Sequence, residues 1–487
     1  MVKLTAQKLA LSLSAAAATF GTAVNARTCT KPETSRIFEA EDAVLTGTNV
    51  QTSLAGYSGS GYVGGFDEGT DKITFTVPST TAGAKLYDLG VRYAGIYGEK
   101  RTTVVLNGGA STEVLLPASD AFATVSGGQL LLKEGNNTID ITNNWGWYLI
   151  DYITLTPSAP RAAHSITPTL SNPTANAITR SLYAYLRTAV YGKKILAGQQ
   201  DLSKASWIQS QTGKTPALVS VDLIDYSPSR VAYQGNVSTT VEDAIAHHGA
   251  GGIVSVLWHW NAPAGLYDTD ANKWWSGFYT RATDFDIAAT LAAGAGSANY
   301  TLVLRDIDAI AVQLKRLEAA GVAVLFRPLH EAEGGWFWWG AKGPEACKAL
   351  YKLMYDRLQG HHGINNLVWI WNSVAADWYP GDAVVDVVSA DVYAQGNGPM
   401  SAQYEQLIKL GGDKKMIAAA EVGAAPLPDL LQAYEAHWLY FCVWSDGFIE
   451  NAEWNSLEVL RQVYNHEYVL TLDEVQDWPA IGAAAAS

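Results

Sequence analysis

The rhythm of apolar and polar positions changes near residue 160. Before it come short alternating runs, "KITFTV" (72–77), "LYDLGVRYA" (86–94), "TTVVLNG" (102–108), "NTIDIT" (137–142) and "YLIDYITLT" (148–156), separated by Gly, Asn and Pro. A period of two with turn residues between runs predicts half-buried antiparallel strands, and several in series predict an all-β sandwich. After it the runs are almost wholly apolar and alternate with helical spacing. Strands are expected in "KILAG" (194–198), "ALVSVDL" (217–223), "GIVSVLWHW" (252–260), "AVLFRPLHE" (323–331), "NLVWIWN" (366–372), "VVDVVSADVY" (384–393), "KMIAAAEVG" (415–423) and "LYFCVWSD" (439–446). Between the third and fourth, Leu304, Ile307, Ile310, Leu314 and Leu317 share one helical face closed by Gly321. Between the fourth and fifth, a helix is framed by Pro344 and Gly360. Eight buried strands alternating with helices predict a (β/α)8 TIM barrel, with a doubly wound sheet as the alternative.

The segment between the two patterns, "TPSAPRAAHSITPTLSNPT" (156–174), is rich in proline and small polar residues and reads as a linker or a closely packed strap. The first residues carry Lys3 and Lys8, then an Ala-rich apolar run, then small residues up to Ala26, the layout of a secretory signal peptide. The expected organisation is a signal peptide (1–26), a β-sandwich (27–157), a linker (158–174) and a barrel (175–480). Secretion to the extracellular space follows from that reading, and the sequons at Asn136, Asn236 and Asn299 fit it.

Composition narrows the partners. Thirty-three Lys and Arg face 47 Asp and Glu, so the net charge is −14, or −16 once Lys3 and Lys8 leave with the signal peptide. Such a chain is a poor match for nucleic acid or an anionic membrane, and a neutral substrate is expected. Seventeen Trp and 24 Tyr exceed what turns and linkers need. They supply either core layers or flat surfaces on which sugar rings stack. Cys29, Cys347 and Cys442 allow one disulfide at most.

Barrel enzymes carry their chemistry where strands end, and the polar residues fall there: His259 after the third strand, His330 and Glu331 after the fourth, Asn372, Tyr393, Glu421 and Trp444 after the fifth to eighth. Glu331 and Glu421 would face each other across the opening. Paired carboxylates suit glycoside hydrolysis, one protonating the leaving oxygen while the other attacks or activates water. His330-Glu331 does not continue into a zinc motif, since Gly334 stands where a second His is required. His247-His248 and His361-His362 lie in helix-to-strand connections and are expected to be solvated.

The stretch "RPLHEAEGGWFWWG" (327–340), followed in order by "WIWNS", "ADVY", "AAAEVG" and "FCVWSDG", resembles glycoside hydrolase family 26, best known for β-1,4-mannanases, over about residues 165–475. The resemblance implies a retaining endo-β-1,4-mannanase acting on mannan, galactomannan and glucomannan with no cofactor for catalysis. In it Glu331 is the acid/base and Glu421 the nucleophile, Tyr393 touches the nucleophile, and His330 contacts the sugar or positions the nucleophile. Trp444 floors the sugar, Trp336 flanks the leaving group and His259 meets the next ring; Trp274 or Trp275 extends the cleft. A β-1,3-xylanase, a mixed-linkage glucanase and a non-catalytic sugar-binding protein are the alternatives. In the N-terminal part, Glu39 and Glu41, two apart on one expected strand face, and Asp151 form an oxygen-only set that suits calcium. With "YAGIYGEKR" and the Trp145-Gly146-Trp147 loop they resemble carbohydrate-binding module family 35. That implies a structural calcium on Glu39, Glu41 and Asp151 and a sugar platform at Trp145, with Trp147 either platform or core. A monomer is expected.

Overall fold

A computed structural model describes residues 34–486 apart from 81, 82, 99, 110 and 446. The expected signal peptide and Cys29 lie outside the described residues. Residues 36–157 form two packed antiparallel sheets. In one, Leu149–Pro157 lies beside Lys85–Gly95, which pairs with Ser119–Leu132. In the other, Gly135–Trp145 lies between Lys72–Ser79 and Lys100–Leu106. Alternation sends Ile73, Phe75, Val77, Ile139 and Ile141 inward against Leu89, Val91, Ile153 and Leu155. The first strand, Arg36–Glu39, pairs with the last, Glu39 opposite Tyr152, which brings Glu39 close to Asp151. The strand ends at Glu39, however, and Glu41 sits in a one-turn helix, so the two glutamates do not share a strand face as expected.

The second unit is a closed ring of eight parallel strands: β1 (Ile195–Gln200), β2 (Leu218–Asp222), β3 (Ile253–Leu257), β4 (Val324–Arg327), β5 (Leu367–Asn372), β6 (Val387–Val392), β7 (Met416–Val422) and β8 (Tyr440–Val443). Each pairs with the next, and β1 pairs with both β2 and β8. The expected (β/α)8 barrel is therefore present. An unforeseen two-residue strand, Val469–Leu470, extends the edge of β1. The helical face foreseen after β3 is buried at Ile307, Ile310, Leu314 and Leu317, in a helix spanning Ala298–Ala319. Strand β4 is shorter than its apolar run. Pro328, which has no N–H to continue the ladder, turns the chain out, so His330 and Glu331 stand on a turn above the strand.

Residues 158–174 run as a strap rather than a free linker. Arg161 donates its backbone N–H to Glu435 (2.6 Å) and pairs with Glu405, His164 meets Asp413 (2.7 Å) and His437 (2.9 Å), and Ser171 N–H meets buried Asp386 (2.5 Å). The module itself touches the barrel where Leu131 N–H donates to the Tyr434 hydroxyl (3.3 Å). His247 is buried against the Ala217 carbonyl (3.2 Å) and His362 pairs with Asp308 (2.6 Å), so neither is the solvated loop residue expected. Cys347 and Cys442 are both buried, free thiols. Among the described residues no single helix is long and apolar enough to cross a membrane.

Candidate active site

Glu331 and Glu421 meet at the C-terminal mouth of the barrel. One carboxylate oxygen from each, together with one from Asp391, lies within 4.8 Å of the others. Asp391 is the neighbour of Glu421 across the β6–β7 ladder, brought into register by a bulge after Ala390. Three carboxylates this close repel strongly unless a counter-charge is fixed among them. Arg327, at the end of β4 and 1 % exposed, supplies it: its guanidinium bonds Asp391 (2.8 Å) and Glu421 together. Arg327 thus bridges two of the three carboxylates and leaves Glu331 without a direct ion pair among the described residues.

Each oxygen of Glu421 has a donor, Arg327 on Oε1 and the Tyr393 hydroxyl on Oε2 (2.9 Å). Both donors favour the ionised carboxylate. Glu331 is treated differently. Burial, with the negative charge of Glu421 adding to it, pushes its carboxyl above the ordinary value, against a single bond from Trp336 Nε1 to Oε2 (2.9 Å). Two carboxyls side by side are therefore set in different surroundings, one with a donor on each oxygen and one raised by burial and its neighbour's charge.

The turn that carries Glu331 is strained. Leu329 (φ 55°) and Glu331 (φ 52°) are both left-handed, at about 1 to 3 kcal/mol each for residues other than glycine. What holds it is polar. Glu331 N–H donates to Asn372 Oδ1 (3.0 Å), Asn372 Nδ2 donates to Asp391 (2.8 Å), and Trp339 Nε1 donates to the His330 carbonyl (2.9 Å). The two glycines that follow have separate reasons. A Cβ on Gly334 would meet the Trp336 ring at 2.0 Å, and Gly335 has φ 68°. Trp336 can lie over the turn only because Gly334 is bare.

His330 is fully buried, 3.1 Å from His259 through their Nε2 atoms and 3.9 Å from Glu421. Burial, Arg327 and His259 push its pKa well down. His259 is buried too, but the Asp222 carboxylate on its Nδ1 (2.7 Å) outweighs burial and raises its pKa. The two rings share a hydrogen bond through their Nε2 atoms, and His330 Nδ1 is buried with no partner among the described residues. The ring of Trp444 lies 5.9 Å from His259. Trp336 and Tyr393 are 48 % and 39 % exposed at this opening. Trp274 stacks on Tyr233 (5.1 Å, 3° between planes), while neighbouring Trp275 is exposed. Trp338 and Trp339, quoted with Glu331, are core. Sequence reasoning assigned no role to Asp391, Arg327 or Asp222. The available signal was a charged residue near the end of an otherwise apolar strand.

In the module, Trp145 and Trp147 are 54 % and 60 % exposed, which removes Trp147 from the core; Lys100 Nζ lies 5.0 Å from the Trp145 ring and Tyr97 packs edge-on to Trp147. Glu39 accepts from the Ser58 hydroxyl (2.7 Å) and Glu41 from the N–H groups of Ser60 (2.6 Å) and Gly61 (3.2 Å). Asp151 is bonded by Ser58 N–H (2.9 Å) and Arg92 Nε (2.7 Å). Glu39 Oε2 and Glu41 Oε2 are buried and unpartnered among the described residues. These two oxygens fit a cation, whereas both oxygens of Asp151 already accept N–H bonds.

Residues 171–474 match glycosyl hydrolase family 26 and residues 36–158 match carbohydrate binding module family 35. A mannan endo-1,4-β-mannosidase of Thermothelomyces thermophilus is 69 % identical over 92 % of each chain. Mannan endo-1,4-β-mannosidase A of a Piromyces species is 32 % identical over 90 % of this chain and 72 % of its own. The crystal structure of a Podospora anserina GH26-CBM35 β-(1,4)-mannanase, also 69 % identical, aligns over 92 % of this chain and 99 % of that one with a TM-score of 0.70. A close pair of carboxylates at the rim of a parallel barrel and a β-sandwich ahead of it agree with these matches along nearly the whole described chain: it belongs to glycosyl hydrolase family 26, joined to a carbohydrate-binding module of family 35.

Proposed function

We propose that this chain is an endo-β-1,4-mannanase that cleaves internal mannosidic bonds of mannan, galactomannan and glucomannan by a retaining double displacement. The observation that carries the mechanism is the approach of Glu331 and Glu421 oxygens to within 4.8 Å. Retaining pairs stand roughly 5 to 5.5 Å apart, whereas inverting pairs need roughly 6.5 to 9.5 Å to admit water. Glu421 attacks the anomeric carbon and forms a glycosyl ester while Glu331 gives its proton to the departing glycosidic oxygen. Glu331, now ionised, takes a proton from water, which attacks the same carbon and releases Glu421. Tyr393 and Arg327 orient the nucleophile. His259 faces the sugar, buried His330 positions His259 and the nucleophile from behind, Trp444 lies beneath the sugar, Trp336 flanks the leaving group, and Trp275 extends the aromatic surface outward.

The module holds the enzyme on polysaccharide, raising its effective concentration at an insoluble surface. Exposed Trp145 and Trp147 are its platform. Calcium on the module takes Glu39 and Glu41 as ligands through their unpartnered oxygens, tying the 58–61 loop to the first strand; Asp151 supports that loop through Ser58 instead. The enzyme acts alone, as a secreted glycoprotein monomer, on a neutral substrate. Its sequon residues Asn136, Asn236 and Asn299 are exposed.

Release of reducing ends from mannan, β-1,3-xylan and mixed-linkage glucan, measured side by side, tests the activity. Cleavage of mannan is expected. Cleavage of xylan or glucan alone moves the substrate, and no release from any polymer leaves only a binding protein. Chelation by EGTA should lower the melting temperature of the module, and an unchanged melt removes the calcium.

A further inference from the structure

A cleft of about 710 Å³ lies between the module and the barrel, away from the carboxylate pair. That volume is within the range of small-molecule sites. Its module wall is the strand segment 126–130 together with Leu106, Thr112 and Val114. Its barrel wall is the loop after β6, from Ala394, and the first turns of the helix Ser401–Gly411. Two features distinguish it from a simple seam between domains. Gln129 uses its amide nitrogen on Asp88 (3.0 Å), while its Oε1 is buried in the cleft with no partner among the described residues. Buried amide oxygens are nearly always bonded, so an acceptor left waiting there marks a place for a donor. The second feature is the wall opposite. Val392 and Ala394 line the cleft and flank Tyr393, whose hydroxyl holds Glu421. Alternation turns them away from the barrel axis, so the cleft begins on the outer side of the loop that borders the active site.

The chemistry of the lining selects the ligand. Its carboxylates are engaged: Glu113 with Arg101 and Asn144, Glu405 with Arg161. What remains is an apolar surface that includes Leu106, Leu130 and Met400, the Lys409 ammonium, the amides of Gln403 and Gln406 on the helix, and Gly128 on the strand, where open space stands in place of a side chain. Apolar side chains beside amides and one ammonium suit a neutral ligand whose rings have C–H faces and many hydroxyls. We propose that this cleft is a second saccharide site, occupied by the stretch of mannan that leaves the barrel mouth over the β6 loop, with a sugar hydroxyl donating to Gln129. The proposal rests on the reading of the chain as a mannanase.

The test uses the full chain and two variants. Ala402→Trp fills the cleft from an exposed helical position, and Gln129→Leu removes the waiting acceptor without adding bulk. KM and kcat are measured on soluble glucomannan and on mannotetraose, which is too short to cross the loop. Loss of one or two hydrogen bonds predicts a KM on glucomannan higher by about threefold in each variant, with kcat/KM on mannotetraose unchanged. Unchanged KM on the polymer, or an equal loss on both substrates, would overturn the site. A parent chain inactive on every mannan would instead overturn the proposed activity, a different result from an active parent with indifferent variants.

Discussion

The molecule gathers three carboxylates twice and does opposite things with them. At the barrel mouth Glu331, Asp391 and Glu421 converge within 4.8 Å, around a guanidinium buried to 1 % exposure. In the module Glu39, Glu41 and Asp151 are spread around the loop 58–61 and are met by its N–H and hydroxyl groups, with Arg92 approaching from a partly exposed flank. The module carboxylates act as clamps, each accepting hydrogen bonds from the loop 58–61. Those of the barrel are crowded against one another, and at Glu331 burial, with the charge of Glu421 adding to it, raises the carboxyl above its ordinary value.

The largest way to break this comparison is to remove the carboxylates. Glu421→Ala and Glu331→Ala should each lower kcat on glucomannan by about 10³-fold or more with the circular dichroism spectrum unchanged. The equivalent Glu39→Ala or Glu41→Ala should leave kcat on soluble oligomers alone. Near-normal turnover in either barrel variant would sink the assignment.

Removing the counter-charges comes next. Arg327→Met strands two buried carboxylates and should cost about 3 to 5 kcal/mol of stability. Arg92→Met leaves Asp151 bonded to Ser58 and should cost about 1.5 to 3 kcal/mol, the worth of one charged hydrogen bond. Denaturant unfolding of both variants gives the ranking, and a reversal would mean that the barrel cluster is not held by Arg327.

The same contrast explains what the sequence revealed. The barrel was legible because its strands are buried on both faces, so eight apolar runs stand out, and because Glu331 and Glu421 interrupt them near their ends. Asp391 was not. It sits two residues before Tyr393, on the same strand face, but its pairing with Glu421 depends on a bulge after Ala390 that no residue pattern announces. The left-handed turn at Leu329 and Glu331 was hidden for a related reason: tertiary bonds from Asn372 and Trp339 maintain it against local preference. In the module, the one-turn helix after Glu39 broke the expected two-residue alternation at Glu41. Aromatic residues were ambiguous throughout. Trp338 and Trp339 are core and Trp336 is exposed, although the three stand within four positions, because only Trp336 has a bare glycine to lie across.

The smallest effect is the most specific. Trp336 Nε1 donates to Glu331 Oε2, and a donor to a carboxylate favours the ionised form, so this bond works against burial and Glu421, which raise the pKa. Trp336→Phe keeps an aromatic face and deletes the donor. The Glu331 carboxyl should then titrate at higher pH, and because it must be protonated to deliver its proton, activity should survive further into alkali. The alkaline limb of kcat/KM on mannotetraose should move up. The rate at the optimum falls as well if the indole also stacks on the leaving group, but that loss does not displace a limb. An alkaline limb that stays put, or moves down, would mean that Glu331 is not the group whose protonation sets it, and that the crowded carboxylates at the barrel mouth divide their protons differently.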